Sequence, residues 1–317
     1  MGDLNDPWRN ADAALLGWPP VMAHDLKFVG IVNTSPDSYV SDSVARTVDA
    51  ALELAGRHIR EGAHLVEVGG QSGGSLAARA TVAEEIARTT DIIRALSAEF
   101  PQVDIVVDTF RAEVAEAAVE AGATWINDIT AMEHDPRIID VAREAGADVV
   151  IVHMKGKAGR RLKRPVYTDV VAEVALYLKS RIQVLESAGI PRSKIVVDSG
   201  PSLGKRPAHD YALLAGLRAL NDLGCRQMAP ISRRQFIEAV DPVGPELRLG
   251  GSVAAALWAA MSGCEYLRVH EVRPYAQAID VWNAILANWR PTTTSSPMTS
   301  ITGDRADPGK PDCLNRL

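Results

Sequence analysis

The sequence predicts a single-domain α/β fold, a (β/α)8 TIM barrel spanning residues 26–290, and three observations carry that expectation. Eight short aliphatic runs recur along the chain, amphipathic stretches fill the gaps, and glycines close several of those stretches just before the next run. Short β-branched runs without polar alternation are the mark of strands buried on both faces of a parallel sheet. Amphipathic stretches of about 10 to 20 residues between them read as covering helices. Eight such units match the roughly 250 residues that a closed barrel usually takes. An open doubly wound sheet would carry a Gly-rich phosphate fingerprint after its first strand, and Val29-Gly-Ile-Val-Asn-Thr-Ser-Pro36 contains none.

In order, the runs are Phe28–Val32, Leu65–Val68, Ile105–Val107, Trp125–Ile126, Val149–Val152, Ile195–Val197, Gln227–Ala229 and Tyr266–Val269. The seventh has weak strand propensity and is placed by its position in the repeat. Helices are expected over Val44–Arg60, Val82–Ala98 and Val170–Ala188, among others. Gly62, Gly122, Gly146, Gly189 and Gly263 stand where a left-handed cap would end a helix. Residues 1–25 lack periodicity and read as an N-terminal extension. Residues 291–317 are rich in Thr, Ser, Pro, Gly and Asp and read as a disordered tail.

Composition narrows the function classes. A content of 47% hydrophobic and 23% charged residues is that of a globular chain with a large core. A net charge of −6 and a pI near 5.7 give no electrostatic footprint for nucleic acid or an anionic membrane. No apolar run approaches the ~18 residues of a membrane span. The N-terminus lacks the order of a signal peptide. Cys225, Cys264 and Cys313 are widely spaced and make no metal pattern, so reduced thiols in the cytoplasm are expected. The basic run Lys155–Arg164 reads as a solvated loop. His24, His58, His64, His134 and His209 have no ligand-like spacing and are expected at the surface or in caps.

A barrel builds its active site at the C-terminal ends of the strands. The polar residues at or just after the ends of the aliphatic runs are Asn33, Gly69-Gly-Gln-Ser72, Asp108-Thr109, Asn127-Asp128, His153, Asp198, Ser232-Arg-Arg234, and Arg268 with His270. Any one of them could be a cap, Asp108 and Asp128 especially, but so many together describe a ligand pocket. Asp108, Asn127 and Asp198 are short acceptors suited to a planar heterocycle with NH2 and ring N–H donors. Arg234 and Arg268 offer forked donors and a flat face for stacking or for anionic oxygens. Asn33 and His270 suit a phosphate group, directly or through Mg2+.

Taken in order, these segments resemble dihydropteroate synthases over roughly residues 28–290. The segments are Ile31-Val-Asn-Thr-Ser-Pro-Asp-Ser38, Val66-Glu-Val-Gly-Gly70, Asp108-Thr-Phe-Arg111, Asn127-Asp-Ile129, His153-Met-Lys-Gly156, Asp198-Ser-Gly200 with Gly204-Lys205, Ser232-Arg-Arg234 and Arg268-Val-His270. The resemblance implies a transferase that joins a dihydropterin pyrophosphate to an arylamine, p-aminobenzoate or a related acceptor, with loss of pyrophosphate. It assigns the pterin to Asp108, Asn127, Asp198, Arg234 and Arg268, and pyrophosphate to Asn33, Arg268 and His270. It gives Mg2+ to Asn33, the acceptor to Ser232, Arg233, Gly73 and Leu203, and catalysis to Asn33, Asp108, Asp198, Arg234, Arg268 and His270. It also implies a homodimer.

The chain departs from the family pattern around the acceptor. Gly-Gly-Glu-Ser-Thr-Arg-Pro-Gly becomes Gly69-Gly-Gln-Ser-Gly-Gly-Ser-Leu76, and the first loop, Ser38-Tyr-Val-Ser-Asp-Ser43, lacks two glycines. Ser-Arg-Lys becomes Ser232-Arg-Arg234, with Pro230 at a usual Gly, and an aromatic wall residue becomes Leu203. These changes spare the pterin floor. The alternative they raise is a divergent paralogue that binds pterin without synthase turnover or uses another acceptor.

Overall fold

The computed structural model describes residues 26–35, 43–71, 80–158, 162 and 164–288. Eight parallel strands close a barrel in chain order: β1 (Lys27–Asn33), β2 (Ala63–Gly69), β3 (Asp104–Asp108), β4 (Trp125–Asp128), β5 (Asp148–Val152), β6 (Ile195–Asp198), β7 (Arg226–Ala229) and β8 (Tyr266–Val269), with β8 returning to pair with β1. The helices are α1 (Val48–Arg60), α2 (Val82–Glu99), α3 (Ala112–Glu120), α4 (Ile138–Ala145), α5 (Val170–Ser187), α6 (Pro207–Ala215), α7 (Gln235–Glu238), α8 (Leu249–Met261) and α9 (Arg273–Asn288). The expected (β/α)8 barrel is the observed fold. The proposed extension 1–25 and tail 291–317 lie outside the described residues.

Every predicted run is a strand, including the weak seventh, which pairs with both neighbours through Arg226–Ala229. The five capping glycines all have positive φ, between 63° and 113°, the region a Cβ disfavours. Helix α1 starts later than Val44. Thr47 accepts from Ala50 N and caps the helix, while Val44 bridges to Asn33 and Ala45 N donates to Asn33 O at 2.8 Å. That contact anchors the last residue of β1 at the rim of the barrel.

Two apolar layers result. Outward strand residues pack under the helices, as with Val66, Val68, Ile105, Val107, Ile126, Val149, Ile195 and Leu267. Inward residues Val29, Leu65, Val106, Trp125, Val150, Val152, Val196, Met228 and Tyr266 fill the lower barrel. At the N-terminal mouth the Arg226 guanidinium stacks 5.0 Å from the Trp125 ring and donates to Tyr266 Oη at 2.9 Å and to Asp148. A filled lower barrel leaves only the upper end for chemistry.

His58 corrects a surface expectation. It is fully buried on α1, with Nε2 3.2 Å from Ile31 O, and its ring lies where a Cβ on Gly30 would stand. His209 is a cap residue, as expected: its Nδ1 accepts from Arg206 N at 3.2 Å at the start of α6, and its ring packs against Tyr167. His64 and His134 are exposed as expected, and His24 lies outside the described residues.

Candidate active site

Strand side chains alternate faces with a period of two, so the interior apolar layer dictates what stands above it. Two residues beyond Leu65, Val106, Trp125, Val196 and Tyr266 come Glu67, Asp108, Asn127, Asp198 and Arg268. All five therefore project into the barrel. Asp128 falls on the opposite face. Its carboxylate accepts from Thr130 N at 2.6 Å, Thr130 Oγ1 at 2.7 Å and Met132 N at 3.0 Å, which makes it a turn former.

Four of the inward five make one hydrogen-bonded network, and Asp198 stands beside it. Arg268 Nη2 donates to Asp108 Oδ2 at 3.1 Å and to Glu67 Oε1. Asn127 Nδ2 donates to Asp108 Oδ1 at 3.2 Å and lies 3.5 Å from Glu67 Oε2. Asp198 Oδ1 accepts from Gly200 N at 2.7 Å. Burial is the largest influence on all three acids. It lifts Glu67 to about 7 and Asp198 to about 6, and raises Asp108 against the pull of Arg268 and Arg234. Among β2 residues, Gly69 pairs with Asp108, and a Cβ there would approach Asp108 and Asn33. The glycine keeps open the level at which a flat ring would lie.

His270 tops β8. Burial, then Arg268, Arg234 and Arg233, hold its pKa well below the usual imidazole value, so it is neutral near pH 7. Ser232 Oγ lies 2.9 Å from His270 Nδ1 and accepts from Tyr275 Oη at 3.1 Å. With Tyr275 donating to Ser232, the serine proton goes to Nδ1, and Nε2 carries the imidazole hydrogen as a donor.

The residues expected at the acceptor stand as follows. Ser232 is buried beneath His270 and braces it. Arg233 sits at a positive φ of 57°, and its guanidinium turns to Glu271 (Nε–Oε2 3.0 Å) and Pro245 O (2.7 Å). A buried guanidinium takes the carboxylate partner available to it, so Arg233 does not face the pocket. Arg234 remains on the pocket side: its Nε donates to Pro230 O at 2.6 Å, and its charge is felt by Asp108 and Asp198. Leu203 packs onto the barrel interior. Gly73 lies outside the described residues, as do residues 36–42 of the first loop.

Lys205, given no role by sequence, locks the loop after β6. Its buried Nζ contacts His153 Nδ1 at 2.8 Å, Gly200 O at 2.8 Å and Leu203 O at 3.3 Å. Burial draws this lysine down to about 7 and His153 to about 3. Gly200 and Gly204, both at φ of 64°, let the loop lie against the β5 loop, where a Cβ would strike His153 O or Lys155 O. His153 is thus loop support. A cavity of about 370 Å3 beside this loop is lined by Ser202, Lys205, Asp210, Gln235 and Glu238.

Sequence reading also missed Glu67. The available signal was a carboxylate inside an aliphatic strand, two residues after an inward leucine. The basic run is loop over its described residues: Lys155 Nζ donates to Val166 O and Glu173 and sits 4.0 Å over the Tyr167 ring. Among the described residues no three His, Cys, Asp or Glu side chains are grouped to hold a metal, and no helix is long and apolar enough to cross a membrane.

The chemistry available is specific. Buried acceptors would take N–H groups from a planar ring, and buried carboxylates would stabilise positive charge developing on it. Neighbouring donors would favour a departing anion.

Residues 29–270 match the family described as pterin binding enzymes. The chain is 36% identical over 259 residues to the dihydropteroate synthase of Escherichia coli strain K12, covering 82% of this chain and 91% of that one. The Synechocystis dihydropteroate synthase is 32% identical over 263 residues, covering 83% and 90%. Among solved structures, Xanthomonas albilineans dihydropteroate synthase with 4-aminobenzoic acid is 39% identical, with a TM-score of 0.76 over 84% of this chain and 94% of that one. The same enzyme in complex with 7,8-dihydropteroate gives 0.74 at 38% identity, over 84% and 95%.

Proposed function

The chain belongs to the dihydropteroate synthase family of pterin-binding enzymes, and from that membership we propose its reaction in residue terms. It is a transferase that condenses 6-hydroxymethyl-7,8-dihydropterin pyrophosphate with p-aminobenzoate and releases pyrophosphate. The observation that carries the residue assignment is the polar floor of buried Asn127 and Asp198 with the largely buried Asp108 and Arg268.

On this reading the floor accepts the ring N–H and NH2 groups. The bond between the pterin methylene carbon and the pyrophosphate oxygen breaks, and its electron pair leaves with the phosphate. Asp108 and Asp198 offset the positive charge left on the pterin. The amine lone pair then forms the C–N bond, and the nitrogen gives up a proton to the departed pyrophosphate or to solvent. Arg268, Arg234 and the neutral His270 donate to the departing anion. Arg268 has to loosen from Glu67 or Asp108 to reach it. The acceptor lies against Leu203, towards Arg234.

Mg2+ fits at Asn33. Its Nδ2 donates to Ser43 Oγ at 2.8 Å, and its amide oxygen is the hard kind of ligand that Mg2+ takes. Held by Asn33 and phosphate oxygens, the ion would neutralise the leaving group. The test is pyrophosphate release with and without p-aminobenzoate, titrating Mg2+. Release that rises with both is expected. Pterin binding without acceptor-stimulated release would overturn synthase turnover on this amine. It would favour the different-acceptor reading, which the turned-away Arg233 already supports.

A homodimer belongs to the same proposal. Trp258 of α8 and Val281 and Ile285 of α9 are each roughly half exposed on neighbouring helices, an apolar face of the kind that marks an interface. Light scattering is expected to give twice the chain mass of 34.0 kDa, and a monomer at micromolar concentration would refute it.

A further inference from the structure

Asn127 Oδ1 and Arg268 Nε are buried and have no hydrogen-bond partner among the described residues. Buried polar atoms in a folded protein are nearly always paired, so two such atoms in one network point to a missing ligand. The way the Asn127 amide faces decides what that ligand must offer. Its Nδ2 is turned down to Asp108 Oδ1 and Glu67 Oε2. Its Oδ1 is thereby left as an acceptor for a ring N–H.

Glu67 sits one layer below this plane. It pairs in register with Val106, whereas the level of Asp108 on β2 belongs to Gly69. Its side chain reaches up from beneath and is 1% exposed. The charged groups acting on it are Arg268 from β8, Asp108 from β3 and Asp198 from β6.

We propose that Glu67 is a positioning residue for the pterin ring, acting through Arg268 and Asn127 without touching the substrate. As a carboxylate it anchors the Arg268 guanidinium from below and supplies a second acceptor to Asn127 Nδ2. A flip of that amide would set its oxygen against two acids. Protonated Glu67 exerts a weaker hold on both partners, so ring binding tightens as Glu67 ionises. The inference rests on the synthase reading given above.

The experiment uses the full chain and 6-hydroxymethyl-7,8-dihydropterin, which carries no phosphate to titrate. Its Kd is measured by calorimetry from pH 5.5 to 8.5, beside pyrophosphate-release kinetics. Glu67 is lifted to about 7, so wild-type Kd is expected to fall by about tenfold across neutrality. Glu67→Gln is expected to stay at the weak value, without the limb near pH 7. Its KM for the pterin pyrophosphate should rise at pH 8 with kcat within about twofold. Glu67→Asp restores the charge one methylene short, and the pH limb should return at weaker affinity. A Glu67→Gln enzyme that keeps wild-type Kd and the same limb would overturn the proposal, as would equal losses in kcat and affinity with no rescue by Asp. Failure of the synthase reading looks different, since the wild type itself would then neither bind the pterin nor release pyrophosphate.

Discussion

Arg268→Met is expected to abolish measurable turnover and to destabilise the fold by about 3–5 kcal/mol at pH 8, the cost of removing one partner from a buried ion pair. Arg268 is the only cation in direct contact with Glu67 and Asp108 among the described residues. Without it, the two acids face Asp198 across a buried floor. Removing one preorganised donor from a charge-developing site costs about 10²–10³ in rate, and here the ring-facing acceptors lose their alignment as well.

The pH dependence of the deficit separates this account from simple loss of packing. Arg268 holds down the pKa of both acids, so its removal raises them further above their unfolded values. A group whose folded pKa is raised contributes stability that is complete below its unfolded pKa and lost as pH rises through the folded one. The window runs from about 4 to above 7, on the direction for Asp108 and the value of about 7 for Glu67. Urea unfolding is therefore expected to show a small deficit at pH 5 and the full one at pH 8. A deficit equal at both pH values would assign Arg268 to packing alone. Arg268→Lys keeps the charge but not the fork, and is expected to recover stability more than rate.

The scaffold was legible because its signals are local. Aliphatic runs, helical spacing and capping glycines each depend on a few neighbouring residues, so even the poorly strand-forming seventh run could be placed by the repeat around it. The polar floor was half legible. Asp108, Asn127 and Asp198 announce themselves by standing at strand ends, and Arg268 by being a cation one residue short of one. Glu67 lies within its strand, between Val66 and Val68, and attention to the strand ends alone passes over it. Counting by two from the inward apolar residue would have found Glu67 and would also have set Asp128 aside.

Tertiary choices were not legible. Nothing in the run Ser232-Arg233 announces that their polar atoms meet Tyr275, Glu271 and Pro245, all distant in sequence. His58 reads as a surface residue of an amphipathic helix until Gly30, on a neighbouring strand, leaves the space its ring fills. Buried donors and acceptors pair with whatever the fold brings near, and strand and helix periodicity carry no record of that pairing.

Asp198→Asn is expected to separate function from stability in the opposite direction. The variant keeps the size of the side chain and an oxygen for Gly200 N, which now donates to Asp198 Oδ1 at 2.7 Å. It loses the negative charge that faces the developing cation, and turnover at pH 8 should fall by about 10²–10³. Burial lifts Asp198 to about 6, so its ionised form is a burden on the fold. That stability is whole below the unfolded value near 3.9 and is lost as pH rises through about 6. The neutral amide avoids the loss. Relative to wild type, Asp198→Asn should therefore gain stability between pH 4 and pH 8, by about 2–3 kcal/mol at most. Wild-type activity should in turn decline as pH drops through about 6 and the acid takes up its proton. A variant that is both inactive and markedly less stable at pH 8 would show that the carboxylate holds the β6 loop rather than the cation. One that is stable and active would remove Asp198 from the chemistry. Loss of rate with gain of stability is the outcome that marks a charge kept, at a cost to the fold, for the reaction.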